Sequence, residues 1–269
     1  MSETSRDLIE HTGYGREGFA ADYDRHRPRP PDALLDLLSA AAQAERPRLV
    51  VDLGSGTGLS ARAWATRAER VIGVEANPAM VAQAAAQTTE RNVSYVEAYA
   101  DHTGLSTGEA DVVTCSQSFH WMEPEPALAE AVRLLRDDGV FAAYDYDWPP
   151  VVHWEVEAAF AEMLRRFAQI RRERGMPVGG WRKAQHLERM EASGRFRFVR
   201  EVVLHGVEEG DAARLIGTAY SLGPLTVLLA EGVGEDELGL AALKDTARRV
   251  MGDRPWPWLF GYRVRLGVK

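Results

Sequence analysis

The apolar residues of this chain first gather into a short run, Leu49 to Leu53, which breaks into Gly54-Ser55-Gly56-Thr57-Gly58. The alanine-rich stretch that follows, Leu59 to Ala68, contains no Gly or Pro, so the pattern predicts a strand, a tight loop and a helix in succession. The alternation continues with strands at Val71 to Glu75, Val93 to Ala98, Asp111 to Ser116 and Val140 to Asp145, and helices at Ala79 to Gln87 and Pro126 to Leu135. Strands separated by helices imply parallel βαβ units with right-handed crossovers.

After Pro149 the rhythm changes. Val156, Phe160, Met163, Leu164, Phe167 and Ile170 recur at three and four residues in a segment rich in Arg and Glu, which predicts a long amphipathic helix. A loop, Gly175 to Gly180, and a polar stretch to Ser193 precede a strand at Phe196 to Leu204. A helical region, Asp211 to Met251, then leads to a last alternating segment, Trp258 to Val268, expected beside Phe196 to Leu204. The expected fold is a single α/β domain over 1–269: a Rossmann-like, seven-stranded, mostly parallel sheet with helices on both faces. Within it, 1–45 reads as an N-terminal lid, 46–148 as the ligand-binding half, 149–195 as a helical cap inserted after the fifth strand, and 196–269 as the C-terminal half of the sheet.

With 269 residues, 45% of them apolar, the chain can bury a sizeable core. A net charge of −8 without a lysine-rich stripe would repel a phosphate backbone, which argues against a nucleic-acid partner. Cys115 stands alone, so neither an internal disulfide nor a cysteine zinc cluster can form, and a cytoplasmic location is expected. No stretch approaches the roughly 18 apolar residues of a membrane span, and the polar opening twenty residues lack a leader's apolar core, so neither membrane nor targeting signal is expected. Nothing in the sequence fixes an oligomeric state.

A glycine loop between strand and helix lets backbone approach a ligand closely. Gly54, Gly56 and Gly58 follow G-x-G-x-G, and Leu59 stands where the dinucleotide fingerprint needs its third glycine. Ser60, Ala61 and Arg62 provide no Walker lysine, so a triphosphate is disfavoured as well. Glu75 ends the second strand 17 residues beyond Gly58, where a carboxylate can accept both hydroxyls of a ribose.

On these residues the chain resembles the class I S-adenosylmethionine-dependent methyltransferases, of the methyltransferase type 11-like kind: Val51 to Gly58 looks like their first motif and Val74-Glu75-Ala76-Asn77-Pro78-Ala79-Met80 like their second. Tyr95 to Leu105 resembles the third and Asp111 to Ser116 the fourth. The resemblance implies S-adenosyl-L-methionine as cofactor, held by Asp52, Gly54, Ser55, Gly56, Gly58, Glu75, Ala76, Asn77 and Met80, with Tyr99, Ala100 and Asp101 near adenine and Ser116 and Gln117 after the fourth strand. Gln117-Ser118-Phe119-His120-Trp121 is similar to the Q-x-x-H-W of trans-aconitate methyltransferase relatives, and Tyr23-Asp24-Arg25-His26-Arg27-Pro28 to that branch's N-terminal segment. By that resemblance Tyr23 and Arg27 fold over the cofactor, Arg27 facing the methionine carboxylate.

Methyl transfer from a sulfonium is an in-line displacement that mainly needs alignment, so no obligatory catalytic residue is implied. His120, beyond a strand's carboxyl end, is the candidate base or substrate anchor. His120, Trp121, Tyr146, Trp148, Trp154 and Trp181 are the candidate acceptor-binding residues, the tryptophans as a dry aromatic enclosure beneath the cap. Asp145-Tyr146-Asp147 offers oxygen atoms for a metal but no third ligand, so no metal is expected. Cys115 sits inside an apolar strand without the preceding Pro of cytosine C5 enzymes, and D/N-P-P-Y of amino-methylating DNA enzymes is missing. The reading is thus a small-molecule methyltransferase acting on an O, N or C nucleophile, with a carboxylic acid favoured by the branch resemblance. Two alternatives stay open: other chemistry on the same cofactor, such as intramolecular cyclisation releasing methylthioadenosine, or a non-catalytic cofactor-binding module.

Overall fold

The computed structural model of the protein describes residues 13–16, 18–176 and 180–269, so residues 1–12 and 17 of the expected lid and 177–179 of the expected Gly175–Gly180 loop lie outside the described residues. Seven strands form one sheet: β1 (Leu49–Leu53), β2 (Arg70–Glu75), β3 (Val93–Glu97), β4 (Ala110–Ser116), β5 (Leu135–Tyr146), β6 (Phe198–Gly210) and β7 (Trp256–Val268), in the order β3-β2-β1-β4-β5-β7-β6. The first five are parallel, and β7 lies antiparallel to both β5 and β6. The two C-terminal strands pair as expected, in an unbroken register from Phe198 opposite Val268 to Gly210 opposite Trp256.

Helices cover both faces, so β1 is buried at all five positions and reads as a continuous apolar run rather than an alternating one. The period of two then divides the core: Val50, Val71, Val112, Val140 and Val264 point to one face, and Val51, Ile72, Val113, Phe141 and Ala143 to the other. The first face carries α2 (Asp32–Ala41) and α3 (Leu59–Ala63), the second α5 (Pro124–Leu134). Leu34, Leu35 and Leu38 of α2 are essentially fully buried, so residues 32–41 form a core layer rather than part of a lid; of the described N-terminal residues, Tyr14, α1 (Phe19–His26) and the stretch Arg27 to Pro30 border the site. The helix expected over Leu59 to Ala68 ends at Ala63, because the Asn92 amide donates to the carbonyls of Ala65 and Ala68 and secures a turn there instead.

A larger difference concerns the segment expected to form a cap. Between α4 (Pro78–Gln87) and the C-terminal strands, α6 (Trp154–Glu173) buries Val156, Phe160, Met163 and Ile170 in the first-face core. Its apolar stripe is therefore satisfied by the sheet and its covering helices, not held over a ligand. Of the segment 149–195, residues 180–186 reach the carboxyl ends of β4 and β5, where the Trp181 amide donates to the His120 carbonyl at 2.6 Å. Beyond them α7 (His186–Ala192) packs on β6 and β7. The region Asp211 to Met251 is four helices, α8 (Ala212–Tyr220), α9 (Gly223–Ala230), α10 (Glu235–Leu238) and α11 (Leu240–Val250). The Asp211 carboxylate caps the first, Pro224 opens the second, and Gly239, at φ +77°, separates the last two. Among the described residues no single helix is long and apolar enough to cross a membrane.

Candidate functional site

Strand order reverses between β1 and β4, and in open α/β sheets the crevice at the carboxyl edge of that switch point is where ligands bind. A cleft opens there, with about 1320 Å³ of empty space including what communicates with solvent. Its floor is the loop after β1, whose Gly54 and Ser55 amides donate to the Val74 carbonyl at 2.8 and 3.0 Å and so fasten it to the end of β2. Gly56 has φ +54°, and a Cβ placed on it would meet nothing within 4 Å, because it would project into the cleft. At Gly54 and Gly58 the glycine serves packing instead: a Cβ would come within 2.6 Å of the Ser118 Cβ and 2.2 Å of the Tyr95 hydroxyl respectively. Gly58 does not line the cleft, contrary to the expected ligand contact.

Glu75 is held from two sides. Its carboxylate accepts the Gly56 amide at 2.9 Å and the Asn77 amide at 2.9 Å, one on each oxygen, while burial pushes its pKa up against those bonds. Each oxygen retains a lone pair for a further donor, the arrangement a vicinal diol requires. Asn77 caps α4 by accepting the Ala79 amide, and Ala76 and Met80 complete this wall. If the ribose rests on Glu75, then Glu75→Ala removes two charge-assisted bonds of about 1.5–3 kcal/mol each. S-Adenosylhomocysteine affinity should then fall about a hundredfold or more by calorimetry; an unchanged dissociation constant would move the ribose elsewhere.

Tyr99 and His102 face each other across a turn closed by the His102 amide on the Tyr99 carbonyl, which presents Ala100 and Asp101 at the cleft rim. Ser116 and Gln117 form the opposite wall. Gln117 adopts φ +53°, unusual for a side-chain-bearing residue; its amide donates to the Tyr144 carbonyl, and its side chain bridges the Tyr146 carbonyl and the Lys183 ammonium.

Asp52 is fully buried beneath the loop rather than in the cleft wall, accepting the Thr114 hydroxyl at 2.7 Å. Burial pushes its carboxyl up to about 7, with the Thr114 and Ser60 hydroxyls acting in the opposite direction. A raised carboxyl pKa in the folded state favours the protonated form, so its contribution is complete below the ordinary carboxylate range near 4 and is lost as pH rises through 7. Urea unfolding should accordingly show Asp52→Asn gaining stability on the parent between pH 4.5 and 8, by up to about 4 kcal/mol. A pH-independent gap would refute this.

Tyr23 and Arg27 from α1 and its end line the cleft. Arg27 is 8% exposed, donating from Nε to the Ser221 hydroxyl at 2.7 Å, from Nη2 to the Ser221 carbonyl at 2.8 Å and from Nη1 to the Tyr146 hydroxyl at 3.1 Å. The rings of Tyr23 and Trp148 lie 4.7 and 5.0 Å from the guanidinium carbon. No carboxylate of the described residues pairs with it, so a buried cation with five donors faces the cleft with two of them uncommitted.

The candidate acceptor residues divide. Trp121 and Tyr146 line the cleft. His120 does not: its ring lies 4.7 Å from that of Trp121 with Nδ1 3.9 Å from Asp145, and burial holds it well below the ordinary imidazole range, hence neutral. Trp148 stacks on Phe160 behind Arg27, because it completes the first-face core. Trp154 is 73% exposed at the start of α6, which turns its other side to the core, and Trp181 is 46% exposed beneath Arg189; neither lines the cleft. Sequence reasoning missed Tyr14, which lines the cleft and meets Trp121 edge-on at 6.0 Å, as well as Pro28, Pro30, Ser118, Met122 and Glu123. The spacing of Tyr14, Phe19 and Tyr23 was the available signal.

Residues 51–143 match the family model described as a methyltransferase domain. A chain from Anaeromyxobacter dehalogenans, assigned provisionally as a type II methyltransferase, superposes with a TM-score of 0.67 at 25% identity, over 90% of this chain and 97% of that one. Residues 51–143 thus carry a match to a methyltransferase domain, and the chain has the Rossmann-like fold of methyltransferases. An uncharacterised methyltransferase of Mycobacterium tuberculosis is 36% identical over 120 residues, 44% of this chain and 46% of that protein. The chain thus spans about half the length of the curated relatives it matches. A Haemonchus contortus phosphoethanolamine N-methyltransferase solved with S-adenosyl-L-methionine shares the fold at TM-score 0.55 and 17% identity, over 98% of this chain and 60% of that one. The glycine loop, Glu75 and the turn after β4 all fall inside the matched domain, whereas Tyr14, Arg27 and Ser221 lie outside it.

Proposed function

We propose that this protein transfers the methyl group of S-adenosyl-L-methionine to a small-molecule acceptor. The observation that carries the reading is one cleft that brings together an uncovered glycine backbone, a carboxylate with both oxygens pre-aligned, and a buried guanidinium that has no acidic partner among the described residues. These match a nucleoside edge, a ribose diol and an amino-acid carboxylate, so the residues present suit this cofactor. When bound, the cofactor supplies a sulfonium methyl group, an electrophile with a good leaving group. The chain aligns the acceptor and excludes water: α1 with Tyr14 and Tyr23 closes one side, and Trp121 and Tyr146 close the other. The charge of −8 and the enclosing aromatic rim support a metabolite-sized acceptor over nucleic acid, and the absence of a cysteine framework supports work in the cytoplasm. The test is a titration with S-adenosylhomocysteine followed by mass analysis of a metabolite panel incubated with S-adenosylmethionine. Acceptors heavier by one methyl group are expected. Methylthioadenosine without methylated product, or efficient methylation of tRNA or intact protein alone, would overturn the proposal.

A further inference from the structure

The main chain on either side of Arg27 is fastened independently of its side chain. Just ahead of it, the end of α1 is seated on α8. The His26 ring lies over Gly217, where a Cβ would come within 2.4 Å of it, and the Thr218 hydroxyl shares its proton between the carbonyls of His26 at 3.2 Å and Arg214 at 2.9 Å. Just after it, the Arg29 amide donates to Glu208 at 2.7 Å, and the Arg29 carbonyl accepts the Tyr262 hydroxyl at 2.9 Å.

The side chain has its own receptor. Ser221, the residue that ends α8, accepts Nε on its hydroxyl and Nη2 on its carbonyl, a two-point grip that fixes the rotation of the guanidinium in its own plane. The hydroxyl is itself oriented, because it donates its proton to the Thr218 carbonyl at 2.6 Å and so turns a lone pair to Nε. With Nη1 also bonded to the Tyr146 hydroxyl, one proton remains on each terminal nitrogen, enough for both oxygens of a carboxylate. Arg27 lines the cleft; Ser221 is fully buried behind it and does not.

We infer that Ser221 is a positioning residue: from outside the cleft it sets the rotation of the Arg27 fork, and with it the preference for a nucleoside that carries an amino-acid carboxylate. The inference rests on the methyltransferase reading, in which Arg27 meets the cofactor's carboxylate. Bidentate recognition depends on the direction of the donors as well as on charge, so an unheld fork loses part of it while the cation stays.

The experiment compares two ligands by calorimetry on the full chain: S-adenosylhomocysteine, and its decarboxylated form, which keeps the amine and lacks only the carboxylate. The parent should prefer the first by about a hundredfold, and Ser221→Ala by about tenfold, with affinity for the decarboxylated form unchanged. Ser221→Cys fills the same space with a poor acceptor and should match Ser221→Ala; it also carries the measurement should the alanine variant fail to fold. Hydrogen exchange of residues 19–26 should stay as in the parent. A parent-like preference in either variant would overturn the inference and leave the cofactor reading intact. Equal weakening of both ligands with a loosened α1 would show that Ser221 only secures that helix, and would overturn it too. A parent chain that binds neither ligand, or shows no preference between them, would strike at the methyltransferase reading and the inference together.

Discussion

Gly56→Val is expected to abolish S-adenosylhomocysteine binding in a protein that still folds. Two costs act together. A β-branched residue at φ +54° is strained by roughly 1–3 kcal/mol, which should lower the melting temperature by several degrees. Its side chain then occupies the only direction open to it, the cleft, because the wild-type position has no neighbour within 4 Å. Gly54→Ala is the contrast. There the added carbon meets Ser118 at 2.6 Å and Met122 at 2.8 Å, so the damage should fall on the joint between the two loops and on stability. Calorimetry with a thermal melt checks both, and a Gly56→Val protein with near-native affinity would remove the ligand from this loop.

Arg27→Met should reduce the same affinity by about a hundredfold or more, since two hydrogen bonds to a carboxylate are worth at least about 3 kcal/mol together. Stability should change much less, because replacing a buried cation with an apolar side chain of similar length relieves desolvation while it forfeits the bonds to Ser221 and Tyr146. Arg27→Lys keeps the charge without the planar fork and should fall between. Equal affinities in all three proteins would show that the guanidinium serves the fold alone.

Much of the sheet was legible because period and punctuation agreed. β1, β2 and β4 are largely buried, mostly apolar runs ended by Asp52-Leu53-Gly54, Glu75-Ala76-Asn77-Pro78 and Ser116-Gln117. Where the reading failed, the reason is that amphipathicity says which side of a helix is buried and not against what. Val156, Phe160 and Met163 predicted α6 correctly, yet the same stripe suits a cap and a core layer. The tryptophans show the same limit. Trp148 and Trp154 are six residues apart, but one is stacked in the core and the other is mostly solvated. The local half of the candidate site, from Gly54 to Asp101, was readable as motif, whereas Ser221 was not, because its part depends on a contact across most of the chain.

The seat of Arg27 joins residues 194 positions apart, and the Tyr146 contact spans 119. During synthesis the glycine loop and Glu75 emerge well before Ser221, so a nascent chain owns the nucleoside half of the site without the partner that fixes the guanidinium. Ligand therefore stabilises the finished molecule by mass action and gives little help to its precursors. The protein's resistance to degradation should follow cofactor supply once synthesis is over, and should be indifferent to it while synthesis is under way.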